Sequence, residues 1–278
     1  MSFIPLSHLI ATPLFGEALL PAQPVAGLVI VHGISEHSGR YRAAMTSFAA
    51  QGIACFAYDQ RGHGRSPGER ADIERFGQFS EDLHEVVQGV AAARAGLPLF
   101  LWAHSMGALV TLDAGARIAG QVRGIATSGC PIAAYARAAP FLMPPLRFVS
   151  RLAPHARVSS FLGVKELSHD TAVQRAYVED PLVERSVTLR LLEGVATACG
   201  TGRTAARELH MPWLAMHGSE DRIAPPQGSR DLMSLLASQD KQLVIYPGQR
   251  HEVHNELEPA RSQFLGTLAQ WVRERCAR

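Results

Sequence analysis

The chain has 278 residues, 47% of them hydrophobic and 19% charged, with a formal net charge of +2. That length accommodates one large α/β domain or two small ones with a sizeable core, and the nearly balanced charge gives no electrostatic footprint for nucleic acid. Cys55, Cys130, Cys199 and Cys276 lack the paired spacing of a metal site, and no apolar run approaches the roughly eighteen residues of a membrane span. The opening stretch MSFIPLSHLIATPLFGE has no basic residue ahead of its apolar ones and is broken by Pro5 and Pro13, unlike a signal peptide. A cytoplasmic protein with reduced, packed cysteines is expected.

Taken in order, residues 1–24 are Pro-rich and offer at most one or two short edge strands. Gly27 to Val31 is a buried-strand run that stops at His32-Gly33, and a polar loop leads to a helix from about Tyr41 to Gln51. Ile53 to Tyr58 is the next strand, followed by the Gly-rich, charged loop DQRGHGRSPGER. Ser80 to Ala95 reads as a helix, with Leu83, Val86, Val87 and Val90 on one face and Ser80 as its N-cap. Strands Leu99–Ala103 and Gly124–Ser128 flank a helix over Gly107–Ala119. From Cys130 to His210 the strand rhythm gives way to helical, Pro-broken segments. It resumes with strand Trp213–His217, a helix over Arg230–Ala237, strand Leu243–Tyr246 and a last helix over Pro259–Arg275. Short apolar strands alternating with helices predict a mostly parallel sheet covered by helices on both faces. Residues 1–130 and 211–278 form the expected core, and 131–210 the expected insertion, a helical cap after the sixth strand.

The stretch LFLWAHSMGALV places Ser105 between a strand and a helix, with Ala103 and Gly107 at minus two and plus two. Small residues there suit a nucleophile elbow, in which a sharp bend presents the hydroxyl above the sheet and the helix N-terminus faces developing negative charge. The relaxed pattern alone arises by chance in roughly one in five chains of this length, so other strand ends must decide between a nucleophile and a serine that merely caps a helix. Ligands of open parallel sheets bind at the carboxyl ends of the strands. Those ends carry His32-Gly33-Ile34, Asp59, Ser105, Asp221 and His251.

A serine hydroxyl needs a base, and the base an acid to fix its tautomer. Ser105, Asp221 and His251 occur in the chain order that this strand arrangement uses. Asp221 competes with Glu220. His251 competes with His254 and is favoured because it comes first after the Pro-Gly turn. His32, Asp59 and His63 read as structural hydrogen-bonders, and the amides of Ile34 and Met106 as the two donors of an oxyanion hole beside Gly33.

The segments VHGISEHSGRY, YDQRGHGRSPGER, AHSMGA, HGSEDRIAPP and YPGQRHEVHNE together resemble the monoacylglycerol lipase and lysophospholipase-like branch of the α/β-hydrolase superfamily. The likeness runs from about Gly27 onward and includes DLHEVV and, in the insertion, LSHDTAVQRAYVEDPLV. It implies an α/β-hydrolase fold, Ser105 as nucleophile, Asp221 as acid, His251 as base, and Ile34 with Met106 as oxyanion-hole amides. It also implies a cap over the site, without metal or cofactor. Ala103 departs from the usual elbow glycine, and the region before Gly27 is shorter and richer in proline than the family's opening strands.

In the insertion, Ala133 to Gly163 is apolar, and Phe141, Leu142, Met143 and Phe161 are expected to contact substrate. No acidic residue lies between Asp113 and Glu166, whereas Arg137, Arg147, Arg151, Arg157 and Lys165 do. An apolar, one-signed cap suits an acyl chain below and peripheral contact with an anionic lipid surface outside; a cap packed on its own core is the competing reading. The expected function is a serine ester hydrolase acting on single-chain acyl esters. The alternatives are an esterase or peptidase-like hydrolase of non-lipid substrates, and a non-catalytic ligand-binding protein of the same fold.

Overall fold

A computed structural model describes residues 1–134, 139–159 and 163–276. Its main sheet contains β1 (Phe3–Pro5), β2 (Gly16–Leu19), β3 (Ala26–Val31), β4 (Ile53–Tyr58), β5 (Leu99–His104), β6 (Gly124–Ser128), β9 (Trp213–Gly218) and β10 (Lys241–Tyr246), in the order β1-β2-β4-β3-β5-β6-β9-β10. From β4 to β10 every pairing is parallel. Only β2 runs against the rest, antiparallel both to β4 and to the edge strand β1.

The inner strands β3, β4, β5, β6 and β9 are buried at every position because both faces are covered, yet the period of two still sorts their side chains. Val29 and Val31 of β3 and Leu101 and Ala103 of β5 enter one core, while Leu28, Ile30, Phe100 and Trp102 enter the other. The first core is closed by α2 (Gly77–Ala93), α3 (Met106–Ile118) and α7 (Gln227–Leu235). The second is closed by α1 (Arg42–Ala49) and α8 (Ala260–Cys276).

Helix α2 starts earlier than its sequence suggests. Ser80 lies within it rather than at its N-cap, because its buried hydroxyl is taken by the Asp113 carboxylate of α3. Leu83, Val86, Val87 and Val90 are buried as their spacing requires. Cys55, Cys130 and Cys199 are buried free thiols.

Between β6 and β9 the chain leaves the sheet and forms α4 (Ala139–Leu152), the small antiparallel pair β7 (Arg157–Ser159) and β8 (Ser186–Thr188), α5 (Thr171–Glu179) and α6 (Leu189–Ala205). This insertion is not uniform. Leu191, Val195 and Ala198 of α6 belong to the main core, whereas Leu167, Tyr177 and Val183 form a separate small cluster. No helix among the described residues is long and apolar enough to cross a membrane.

Candidate active site

Ser105 sits between β5 and α3 with φ +51° and ψ −120°, a conformation that side chains rarely adopt and that persists only where surrounding structure enforces it. Its amide donates to Ser128 O at 2.9 Å, tying the bend to the end of β6. A Cβ on Gly107 would lie 2.3 Å from Val31 O, so the close seat of α3 on the end of β3 requires glycine there. Ala103 is fully buried without disturbing the bend.

At the ends of β9 and β10 the structure brings Asp221 and His251 together. Asp221 Oδ2 accepts a hydrogen bond from His251 Nδ1 at 2.6 Å, and Oδ1 accepts the amides of Ile223 and Ala224 at 2.9 and 2.8 Å. A second imidazole, His217, places Nε2 3.0 Å from the same Oδ2. Burial alone would raise the Asp221 pKa, but the His251 charge and the hydrogen bonds from His217 and His251 outweigh it and hold the carboxyl well below its usual range. The partner shift is reciprocal: burial disfavours protonated His251, yet the Asp221 charge and hydrogen bond raise its pKa above the ordinary 6.5. Glu220 is exposed on the same turn. His254 is packed instead against Tyr41 and Trp102, and burial lowers it to about 4.

Sequence reasoning missed the glycine that makes room for this pair. Gly129, at φ +59°, would place a Cβ 2.9 Å from His251 Cε1 and 3.0 Å from Nδ1. A displacement of about 1 Å at a reacting group can cost a hundredfold in rate. Gly129→Ala is therefore expected to lower kcat about a hundredfold, with a smaller loss of Tm, measured by steady-state kinetics beside a thermal melt; unaltered kcat would show that the imidazole has slack.

The loop after β3 carries the other half of the site. His32 Nδ1 lies 2.7 Å from Gly33 O, and its Nε2 accepts the Gln60 amide at 2.9 Å. Asp59 takes the Ser38 amide and hydroxyl and the Arg65 amide. His63 is buried and lowered to about 3, chiefly by that burial. These three residues hold the loops, as their positions suggested.

Glu36, Arg40 and Glu252 form a buried network that the sequence did not single out. Glu36 Oε1 accepts Gly33 N–H at 2.6 Å and Tyr41 O–H at 2.9 Å, fixing the turn that carries Ile34. The Arg40 guanidinium bridges Glu36 (2.7 Å) to both oxygens of Glu252 (2.6 and 2.7 Å), the neighbour of His251. Although burial opposes it, Arg40 thereby holds Glu252 well below the usual carboxylate range. The i,i+4 spacing of Glu36 and Arg40 in VHGISEHSGRY was the available signal.

Two spaces share Ser105 and Ile34 in their linings. On one side Gly33, Ile34, Glu36, Arg40, Tyr177 and His251 line a niche of small volume. On the other, a cavity of about 300 Å³ is lined by Ile34, Met106, Val187, Leu192, Val195 and Ile223, among others, with Glu166 and Arg222 also on its wall. Phe141, Leu142 and Met143 do not contribute to the described lining. Phe141 is 81% and Leu142 51% exposed on α4, because its apolar side is left open and the cavity is walled by α6 and the Asp221 turn. Phe161 and Arg137 lie outside the described residues. Arg157 also departs from expectation: it binds Ser186 and the Arg70 carbonyl and lies 3.5 Å from Glu184, joining the insertion to the core rather than facing outward.

A serine on a strained strand-to-helix bend, an acid-oriented histidine, a fixed loop of backbone donors and an eight-stranded, mostly parallel sheet are the features of an α/β-hydrolase. The chain belongs to the hydrolase family described as "Serine aminopeptidase, S33", whose sequence model matches residues 22–258. It is similar to a monoacylglycerol lipase of Mycolicibacterium smegmatis, with 35% identity over 90% of this chain and 88% of the relative. It is also similar to the monoglyceride lipase of Homo sapiens, with 31% identity over 91% and 84%. The crystal structure of Paleococcus ferrophilus monoacylglycerol lipase superposes with a TM-score of 0.82 at 26% identity, covering 94% of this chain and 99% of that one. These likenesses set the protein in the monoacylglycerol lipase-like branch of the fold.

Proposed function

We propose that the protein is a serine ester hydrolase that cleaves single-chain acyl esters, monoacylglycerols foremost, through an acyl-enzyme on Ser105. In this mechanism Ser105 Oγ attacks the ester carbonyl as His251 Nε2 takes its proton, and Asp221 keeps the other nitrogen protonated and stabilises the imidazolium. The Ile34 and Met106 amides receive the oxyanion. His251 then protonates the departing alcohol, and water repeats the sequence to release the fatty acid. The chemistry needs neither metal nor cofactor.

The observation that carries this reading is the cavity of about 300 Å³ that opens beside Ser105, whose lining by Ile34, Met106, Val187, Leu192, Val195 and Ile223 suits an acyl chain. A peptidase acting on free amino termini needs an unneutralised carboxylate for the ammonium group. Both acids of the niche, Glu36 and Glu252, are paired with Arg40. Hydrolysis of glycerol and p-nitrophenyl esters of graded chain length, beside aminoacyl anilides and fluorophosphonate labelling, tests this directly. Turnover of anilides alone would overturn the ester reading, and a chain that neither labels nor turns over is a binder.

We read residues 131–210 as a cap and its α4 as the surface that meets lipid. Phe141, Phe148 and Leu152 are exposed there beside Arg151, a pattern suited to an anionic interface at the cytoplasmic side of a membrane, whereas Arg147 lies 3.5 Å from Glu193 of α6. Phe141→Ser with Phe148→Ser is expected to reduce binding to phosphatidylglycerol-containing vesicles and activity on dispersed monoacylglycerol severalfold, leaving a short soluble ester unaffected. Equal loss on both substrates would point to a damaged cap instead.

A further inference from the structure

The segment LSHD of the insertion, part of the stretch that resembles the family, has no role in the chemistry described so far. In the structure it lies along the loop that carries His251. Glu252 N–H donates to Leu167 O at 2.8 Å and His251 N–H to Glu166 O at 3.4 Å. The Arg250 guanidinium reaches the carbonyls of Lys165 and Ser168. The two strips of chain meet at one carboxylate, Glu256, which is completely buried. It accepts the His169 amide at 2.9 Å and the His169 Nδ1–H at 2.9 Å from the cap, shares the Ser168 hydroxyl (3.2 Å) with the Asn255 carbonyl (2.8 Å), and accepts the Arg250 amide at 3.0 Å from the His251 loop itself.

A buried carboxylate left short of donors is costly, so these groups hold one another in place with little freedom. The amide it takes on the His251 side belongs to the residue immediately before the base. Any shift of Glu256 therefore moves the peptide that leads into His251. The short 2.6 Å bond to Asp221 fixes the ring at one nitrogen only; the height of the other above Ser105 is set by the backbone.

We propose that Glu256 is a positioning residue for His251, and that through it the cap segment 165–169 sets the approach of the imidazole to Ser105. The proposal rests on the reading of Ser105, His251 and Asp221 as the catalytic set. It makes the cap part of the catalytic base's own support, beyond its covering of the substrate. The charged and imidazole groups packed about the ring, Asp221, His104, His254, Glu252, Glu36 and Arg40, come from the core, and Leu167 and Tyr177 of the insertion line the same niche. Glu256 is thus the carboxylate through which the insertion's own donors bear on the base loop.

The test compares wild type with Glu256→Gln, an isostere that cannot accept all four donors, on a short soluble ester across pH. In wild type kcat/KM should rise through an acid limb centred above 6.5, because the base must be deprotonated and its pKa is raised. The variant is expected to lose about ten- to hundredfold in kcat with KM nearly unchanged. Its acid limb should move down by on the order of half a pH unit, as the looser ring loses part of its bond to Asp221. His169→Ala removes one donor from the half-exposed edge of the cluster, and it should reproduce both changes on a smaller scale, which covers the case in which Glu256→Gln does not fold. Unchanged kcat, or a fall in kcat matched by a fall in fluorophosphonate-titratable sites with the limb unmoved, would overturn the proposal and leave Glu256 as a packing group. Failure of the catalytic reading is distinguishable, since Ser105→Ala would then retain activity whatever Glu256 does.

Discussion

Ser105→Ala is expected to abolish fluorophosphonate labelling and to lower turnover by on the order of a millionfold, the scale on which loss of a triad nucleophile is felt. The fold should not register the change. The side chain borders a cavity rather than filling one, the bend around it is held by the Ser128 carbonyl and by the contact of Gly107 with β3, and alanine keeps the same Cβ. Superimposable melts with no detectable ester hydrolysis are the predicted pair of results. More than a few per cent residual activity in a purified, label-negative variant would assign the chemistry to another nucleophile.

Asp221→Asn is expected to slow turnover roughly ten-thousandfold. An amide at this position can donate to His251 Nδ1, which favours the tautomer with the proton on the nitrogen that should accept from Ser105. It also removes the charge that stabilises the imidazolium. His217 adds to the effect, because its Nε2 also reaches Asp221 Oδ2 and the Ala224 carbonyl and cannot serve an amide N–H as an acceptor without giving up that bond. Glu220→Gln, one residue away on an exposed turn, should fall within a fewfold of wild type in the same kcat comparison. The opposite ranking would transfer the acid to Glu220.

The sheet was legible in the sequence because its inner strands are buried on both faces and bounded by Gly, Pro and charged turns, so their existence did not depend on fine periodicity. Ser105, Asp221 and His251 stood out because they fall in the loops at the carboxyl ends of three strands in the order serine, acid, histidine, whereas His32 and Asp59, at two other strand ends, are taken up in bracing loops. Ser80 was misread as a cap because a serine before an amphipathic run looks the same whether its hydroxyl turns to the helix's own amides or, as here, to Asp113 on a neighbour. Phe141 and Leu142 show the limit of composition. An apolar residue in an insertion can face the cavity or the solvent, and only the seating of α6 against the core decides that α4 is the exposed one. The i,i+4 pair Glu36 and Arg40 left a local trace, but Arg40 with Glu252, and Glu256 with Ser168 and His169, join partners far apart in sequence, and no local pattern reports a carboxylate's distant donors.

The backbone at Ser105 has one more implication. A positive φ on a residue with a Cβ carries about 1–3 kcal/mol of conformational strain, and glycine at the same place would relieve most of it. A sequence optimised for stability alone would therefore write glycine at position 105, and would lose the proposed nucleophile. Ser35 and Ala71 also hold a positive φ, so glycine substitutions sought blindly for stability would be drawn to all three positions, and at one of them the gain would remove the proposed nucleophile.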